Sequence, residues 1–147
     1  MKKYLKLISA LLAVVVLAVA VCAPVSADDI KITVNGKEIK PDTPPVIVSD
    51  RTLVPIRFIA EAFGYEVKWL NEYKAVKIVS GDTEISMFVG SNLILKTAKG
   101  EAPEELYSDV EAEIYNDRTF VPLRAAAEAL GVTIEWDNDT RTVVATK

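Results

Sequence analysis

Residues Arg51 to Trp69 read RTLVPIRFIAEAFGYEVKW, and residues Arg118 to Trp136 read RTFVPLRAAAEALGVTIEW. The two stretches are offset by a constant 67 positions (118 minus 51) and share 10 of their 19 residues. Self-similarity at a fixed offset is typical of a duplicated structural unit. The chain is therefore predicted to contain two copies of one unit, at about residues 30–80 and 83–146, related by an internal pseudo-two-fold axis.

Each copy has the pattern of a β-β-α-β-β unit. Pro55 suits the first position of a helix, apolar residues follow it at helical spacing, and Gly64 suits the left-handed position after the helix. Pro122 and Gly131 mark the second helix in the same way. Alternating strand patterns flank both helices. We expect an α+β fold in which an antiparallel β-sheet packs on two short helices.

The two tryptophans occupy one repeat position, since Trp69 and Trp136 are 67 residues apart. Trp69 alternates in phase with Val67, and Trp136 with Ile134, so both rings are predicted to lie in the core. The alternative is that the two rings are exposed and stack on sugars, as aromatic side chains of sugar-binding modules do. One copy alone, at ~60 residues, buries barely enough surface to be stable. We therefore expect the two copies to share a single core.

The N-terminus has the pattern of a secretory signal peptide. Lys2, Lys3 and Lys6 precede an apolar run, and Val25-Ser26-Ala27 offers a cleavage site after Ala27. Residues 1–27 are the predicted signal peptide and residues 28–147 the single mature domain, secreted or attached to the cell surface. Two alternatives stay open. In the first, Cys22 is a lipidation site, although Val21 stands before it where that signal has a small residue. In the second, the segment stays uncleaved and anchors the protein in the membrane.

The composition of residues 28–147 narrows the function further. Without the three signal lysines, 14 basic residues (17 minus 3) face 21 acidic ones, a net charge of −7. This charge disfavours nucleic acid and anionic lipid as partners. The only cysteine, Cys22, leaves with the signal, so no disulfide is expected and the core must supply the stability. Free strand edges leave homo-oligomerisation open.

The residues that catalysis and metal binding usually require are missing. The chain has no histidine, and copper prefers imidazole or sulfur ligands. A serine or threonine nucleophile generally needs a base, most often histidine. The acidic turn at Asp137-Asn138-Asp139 lacks the glycine and the terminal glutamate of a calcium-binding EF-hand loop, and is predicted to be a plain hairpin turn. The sequence predicts no enzyme activity, no cofactor and no metal.

The repeated motif resembles the copper amine oxidase-like N-terminal domain, also called the stalk domain. Members of that family are typically exported or surface proteins of Gram-positive bacteria, and in the related enzyme the domain is a non-catalytic appendage. The resemblance implies structural roles for the residues of the motif: Arg51, Pro55, Arg57, Glu61, Gly64, Trp69, Arg118, Pro122, Arg124, Glu128, Gly131 and Trp136.

Two features of the motif need comment. Members often carry Asn-Gly before the Arg-Thr, where this chain has Ser49-Asp50 and Asn116-Asp117. Aspartate adopts turn geometry less readily than glycine but more readily than most residues, so the shape of these two loops stays open at this point. On each helix a glutamate follows an arginine by four residues, which predicts the ion pairs Arg57–Glu61 and Arg124–Glu128. The alternative is that Arg57 and Arg124 donate to carbonyl groups of strands or loops.

The predicted function is a protein-interaction or spacer module at the cell envelope. Its partner would be a surface protein or a cell-wall component, with no nucleic acid and no membrane after cleavage of the signal. The alternative is a module that binds carbohydrate or wall polymer, with Tyr65, Tyr73, Tyr107 and Tyr115 as the exposed aromatic surface. Residues Lys99 to Asp109 are predicted to form a mobile loop.

Overall fold

A computed structural model describes residues 30–147. The predicted signal peptide and its cleavage site lie outside the described residues. In the described part, short strands and two short helices form an α+β fold, as predicted. The strands form three mostly antiparallel sheets, where a single antiparallel sheet was expected. The elements are β1 (Lys31–Val34), β2 (Lys37–Ile39), β3 (Val46–Val48), β4 (Arg51–Pro55), α1 (Ile56–Ala62), β5 (Glu66–Leu70), β6 (Ala75–Ser80), β7 (Thr83–Phe88), β8 (Leu93–Ala98), β9 (Glu104–Tyr107), β10 (Glu113–Tyr115), β11 (Arg118–Pro122), α2 (Leu123–Leu130), β12 (Thr133–Asp137) and β13 (Thr142–Thr146).

The two repeated motifs meet along a seam in one four-stranded sheet, with the order β10-β11-β4-β3. Strands β4 and β11 are antiparallel, and Val54 faces Val121, the residue 67 positions later. The neighbouring pairs are Leu53 with Pro122 and Pro55 with Phe120. A shift of 67 converts each of these two pairs into the other, so both motifs use the same residues to make the seam.

The turns before the two motifs have the same backbone geometry. Ser49 and Asp50 have φ values of 48° and 58°, and Asn116 and Asp117 have values of 48° and 59°. Positive φ at both central residues is what a two-residue hairpin of the type I′ class requires. Both turns therefore have the backbone geometry that Asn-Gly favours, although neither contains that pair.

Both helices begin one residue later than predicted. Pro55 and Pro122 are the last residues of their strands and act as N-caps, with extended ψ values of 99° and 130°. Gly131 ends α2 in the left-handed conformation at φ 64°, where a side chain would be strained. Both helices are too short to persist alone in water, so tertiary packing holds them.

The other two sheets differ from the prediction in two respects. In the sheet β12-β13-β1-β2, β1 lies parallel to β13, so the fold is not wholly antiparallel. The third sheet has the order β5-β6-β7-β8-β9.

The prediction of a mobile loop over Lys99–Asp109 is wrong, because β9 forms inside it and pairs with β8. Glu104 and Glu105 are charged and give no apolar strand pattern, because β9 lies at the exposed edge of its sheet.

One hydrophobic cluster contains residues from both copies, as predicted. Ile59 of α1 and Ala126 of α2 are fully buried in it, beside Val54 and Val121 of the seam. Burial of this apolar surface is the main stabilising term that the domain has. None of the helices within residues 30–147 is long and apolar enough to cross a membrane.

Candidate functional site

A cleft with a volume of about 540 Å³ lies between the two copies. We call it the Trp136 cleft. The turn before β4 forms one wall, and α2 with β12 forms the other. Its lining residues are Asp50, Arg51, Thr52, Asp109, Pro122, Leu123, Arg124, Ala127, Glu128, Val132, Ile134 and Trp136.

A second cleft, of about 340 Å³, occupies the equivalent place in the other copy. We call it the Trp69 cleft. Here the turn before β11 faces α1 and β5. It is lined by Pro55, Ile56, Arg57, Phe58, Trp69, Val76, Asp117, Arg118 and Thr119. Most of these residues are the partners, 67 positions away, of residues that line the Trp136 cleft or flank it.

The prediction that both tryptophans lie in the core is wrong. Trp69 is 38% exposed and Trp136 is 39% exposed, each on the wall of its cleft. The alternation correctly placed the rings on the apolar face of their strands. It could not show how much of that face other parts of the chain cover.

Two ion pairs cross between the copies. Arg51 Nε donates to Asp109 Oδ2 at 2.8 Å, and the Arg118 guanidinium makes a two-pronged contact with Asp42. Asp42 and Asp109 are themselves 67 residues apart. The hydrogen bond from Arg118 lowers the pKa of Asp42, and that from Arg51 lowers the pKa of Asp109. Sequence reasoning missed both aspartates, although the shared offset marks them.

The two predicted helix ion pairs have different outcomes. Arg57 Nη1 lies 3.5 Å from Glu61 Oε1, which confirms the first pair. Within residues 30–147, Arg124 and Glu128 form no such contact, so the second prediction is wrong. Both of these side chains are exposed on the wall of the Trp136 cleft. The field of Arg124 does contribute, after that of Arg51, to lowering the pKa of Asp109.

The clefts also differ in size for a reason that the sequence shows. Phe58 lines the Trp69 cleft, and its counterpart 67 positions later is Ala125. Ala125 is buried and does not reach the Trp136 cleft. Replacing a phenyl ring by a methyl group leaves open space, which agrees with the larger volume of the Trp136 cleft.

The tyrosines do not form the aromatic surface that the carbohydrate alternative assumed. Tyr73 and Tyr107 are 61% and 63% exposed, but Tyr65 is 8% exposed, with Lys147 Nζ 4.5 Å from its ring centroid. Tyr115 packs edge-on against Phe120 and donates a hydrogen bond to Glu113. None of the four lines either cleft.

The remaining motif residues have structural places. Gly64 lies after α1 with φ 82°, as its predicted role requires. Within residues 30–147 no three His, Cys, Asp or Glu side chains gather closely enough to hold a metal ion. Asp137 accepts hydrogen bonds from the backbone of Asp139 and from Thr140, which closes the β12–β13 turn as a plain hairpin.

Comparison with known proteins identifies the family. The copper amine oxidase N-terminal domain family matches residues 33–147. A curated relative from Brevibacillus choshinensis, described as a protease inhibitor, is 29% identical over 119 residues, which are 79% of this chain and 34% of the relative. The chain thus spans about a third of that relative's length. No solved structure matches the chain significantly. The chain belongs to the copper amine oxidase N-terminal domain family.

Proposed function

We propose that this chain is an exported, non-catalytic interaction module of the cell envelope, which holds its ligand in the clefts between its two copies. One observation carries the proposal. Each cleft is built from both copies and exposes a tryptophan to solvent. A large aromatic side chain left half-exposed in a concave site is typical of ligand pockets.

The proposal includes a pseudo-two-fold relation between the copies. The seam at Val54 and Val121 supports it, as do the exchanged ion pairs of Arg51 and Arg118. Under this relation each copy supplies one wall to each cleft. A rigid shared core then fixes the walls relative to each other, which keeps the cost of ordering them low when a ligand binds.

The absence of catalysis is part of the proposal. In the oxidase that gives the family its name, this domain is non-catalytic. No histidine is present to serve as a general base. The proposal also includes export through residues 1–27 with cleavage after Ala27, which would place the module outside the cell.

A wall polymer is the ligand class that the clefts support best, because a half-exposed indole ring beside polar side chains suits a saccharide. A protein partner is the second candidate. The relative described as a protease inhibitor supports it, since an inhibitor of that kind acts on a protein. A pure spacer role would leave both tryptophan rings without a ligand.

The test is retention by the exported protein, expressed with its own leader and immobilised after purification. Cell-wall fragments and envelope proteins are passed over it, and bound material is identified by mass spectrometry and sugar analysis. The control is the double variant Trp69→Ala, Trp136→Ala. We expect the natural protein to retain wall material or a protein that the double variant does not. Equal retention by both proteins, or none by either, would refute the proposal.

A further inference from the structure

The two clefts share an origin but differ in their free polar groups. In the Trp69 cleft both arginines are already engaged, Arg57 with Glu61 and Arg118 with Asp42. In the Trp136 cleft, Arg51 is engaged with Asp109. Arg124 and Glu128 have no ion-pair or hydrogen-bond partner among residues 30–147. A free donor and a free acceptor therefore line the same cleft as the exposed Trp136 ring.

We propose that the Trp136 cleft binds a ring of a neutral saccharide and that the Trp69 cleft has lost this capacity. This inference rests on the interaction role proposed above and assigns that role to one of the two clefts. The C–H face of a sugar ring stacks on the indole of Trp136. Its hydroxyl groups accept from the Arg124 guanidinium and donate to the Glu128 carboxylate.

Hydroxyl groups match this donor and acceptor set because each of them can both donate and accept. Two neighbouring hydroxyls on one ring can serve Arg124 and Glu128 together. An apolar peptide side chain stacked on Trp136 would satisfy neither group. The volume of about 540 Å³ lies within the ordinary range for small-molecule sites.

Charge selects a neutral polymer over an anionic one. The charged residues that line the Trp136 cleft are Asp50, Asp109 and Glu128 against Arg51 and Arg124, a net charge of −1. Residues 28–147 carry a net charge of −7, from 14 basic and 21 acidic residues. Anionic wall polymers are therefore repelled at long range and find no unopposed positive charge in the cleft.

The Trp69 cleft is a closed version of the same site. Phe58 fills space that Ala125 leaves open in the other copy, and the volume falls to about 340 Å³. The Arg57–Glu61 pair at 3.5 Å takes up the donor and acceptor that a sugar would need. The repeat thus supplies its own matched control, since Trp69 has nearly the same exposure as Trp136 but a different setting.

The experiment is affinity electrophoresis of the exported protein through gels that contain a single soluble polysaccharide. Neutral gels carry a β-glucan, a galactomannan or glycol chitin, and an anionic gel carries polygalacturonate. The natural protein, Trp136→Ala, Trp69→Ala and Glu128→Gln are compared. Urea unfolding of each variant checks that it folds, and Trp136→Phe and Arg124→Ala replace Trp136→Ala if that variant does not.

We expect retardation by at least one neutral polysaccharide, weakened about tenfold by Trp136→Ala and less than about twofold by Trp69→Ala. Glu128→Gln should also weaken retardation, because it removes the charged acceptor. No retardation in any neutral gel, stronger retardation in the anionic gel, or equal losses from the two tryptophan variants would each overturn the inference. If the immobilised protein retains a protein partner while no polysaccharide retards it, the proposed function stands and this inference falls.

Discussion

The substitution Ile59→Ala tests whether the two copies unfold as one. Ile59 lies in α1 of the first copy, is 0% exposed and belongs to the cluster that both copies share. The change removes three buried carbon atoms at ~0.8 kcal/mol each, or about 2.4 kcal/mol before the cavity is counted. The cavity raises the loss to about 3–4 kcal/mol of the free energy of unfolding.

The two tryptophans make the assay specific for each copy. In a Trp69→Phe background the fluorescence reports on the second copy through Trp136, and in a Trp136→Phe background it reports on the first. With a urea dependence of about 1.5 kcal/mol per molar, typical for a small protein, Ile59→Ala should lower the midpoint by about 2 M in both backgrounds. The shared core requires the two shifts to agree.

The control is Ile47→Ala, at a residue that is 56% exposed on the edge strand β3. A surface change of this kind should alter stability by less than about 0.5 kcal/mol. A midpoint that falls at Trp69 but stays unchanged at Trp136 would refute the shared core, because the second copy would then be stable without the first.

Three further predictions concern the ion pairs and the turns. Asp42→Asn with Asp109→Asn should flatten the loss of stability on acidification, followed by urea midpoints from about pH 5 to pH 3. The pairing with arginine lowers both carboxyl pKa values. Its stabilisation is therefore present above the ordinary value of 3.8 and is lost as the pH falls through the lowered values. A loss of stability on acidification identical to that of the natural protein would contradict this. Gly131→Ala should lower stability by about 1–2 kcal/mol in thermal unfolding, because its φ of 64° is costly for any residue with a side chain. Asp117→Gly should raise stability by about 0.5–1 kcal/mol for the same reason, since Asp117 has φ 59°, and a lowered melting temperature would show that its side chain matters more than its backbone.

Much of the fold could be predicted because local chemistry decides it. The helix ends at Gly64 and Gly131 follow from backbone preferences that a few neighbouring residues reveal. The shared core followed from the size of each copy. Pro55 and Pro122 lie one residue before their helices instead of at the first helical position. This differs from the prediction by a single residue at each helix start.

The clefts could not be predicted, because each is lined by residues that are far apart in the sequence and come from both copies. Periodicity placed Trp69 and Trp136 on the apolar face of their strands but does not show what packs over that face. The contacts of Arg51 with Asp109 and of Arg118 with Asp42 join residues 58 and 76 positions apart, and no local rule links them. The difference between Arg57–Glu61 and Arg124–Glu128 arises from surroundings that identical spacing does not show.

The parallel pairing of β1 with β13 determines how the domain responds to tension. Lys31 lies beside Thr142 and Val34 beside Ala145, so the chain enters at one end of this strand pair and leaves at the other. A pull on the two ends of residues 30–147 would slide the strands past each other lengthwise. The backbone bonds that join them would then carry the load together, because shear cannot open them one at a time as peeling would. A module that tethers material to a growing or flowing surface would gain mechanical resistance from this strand order alone.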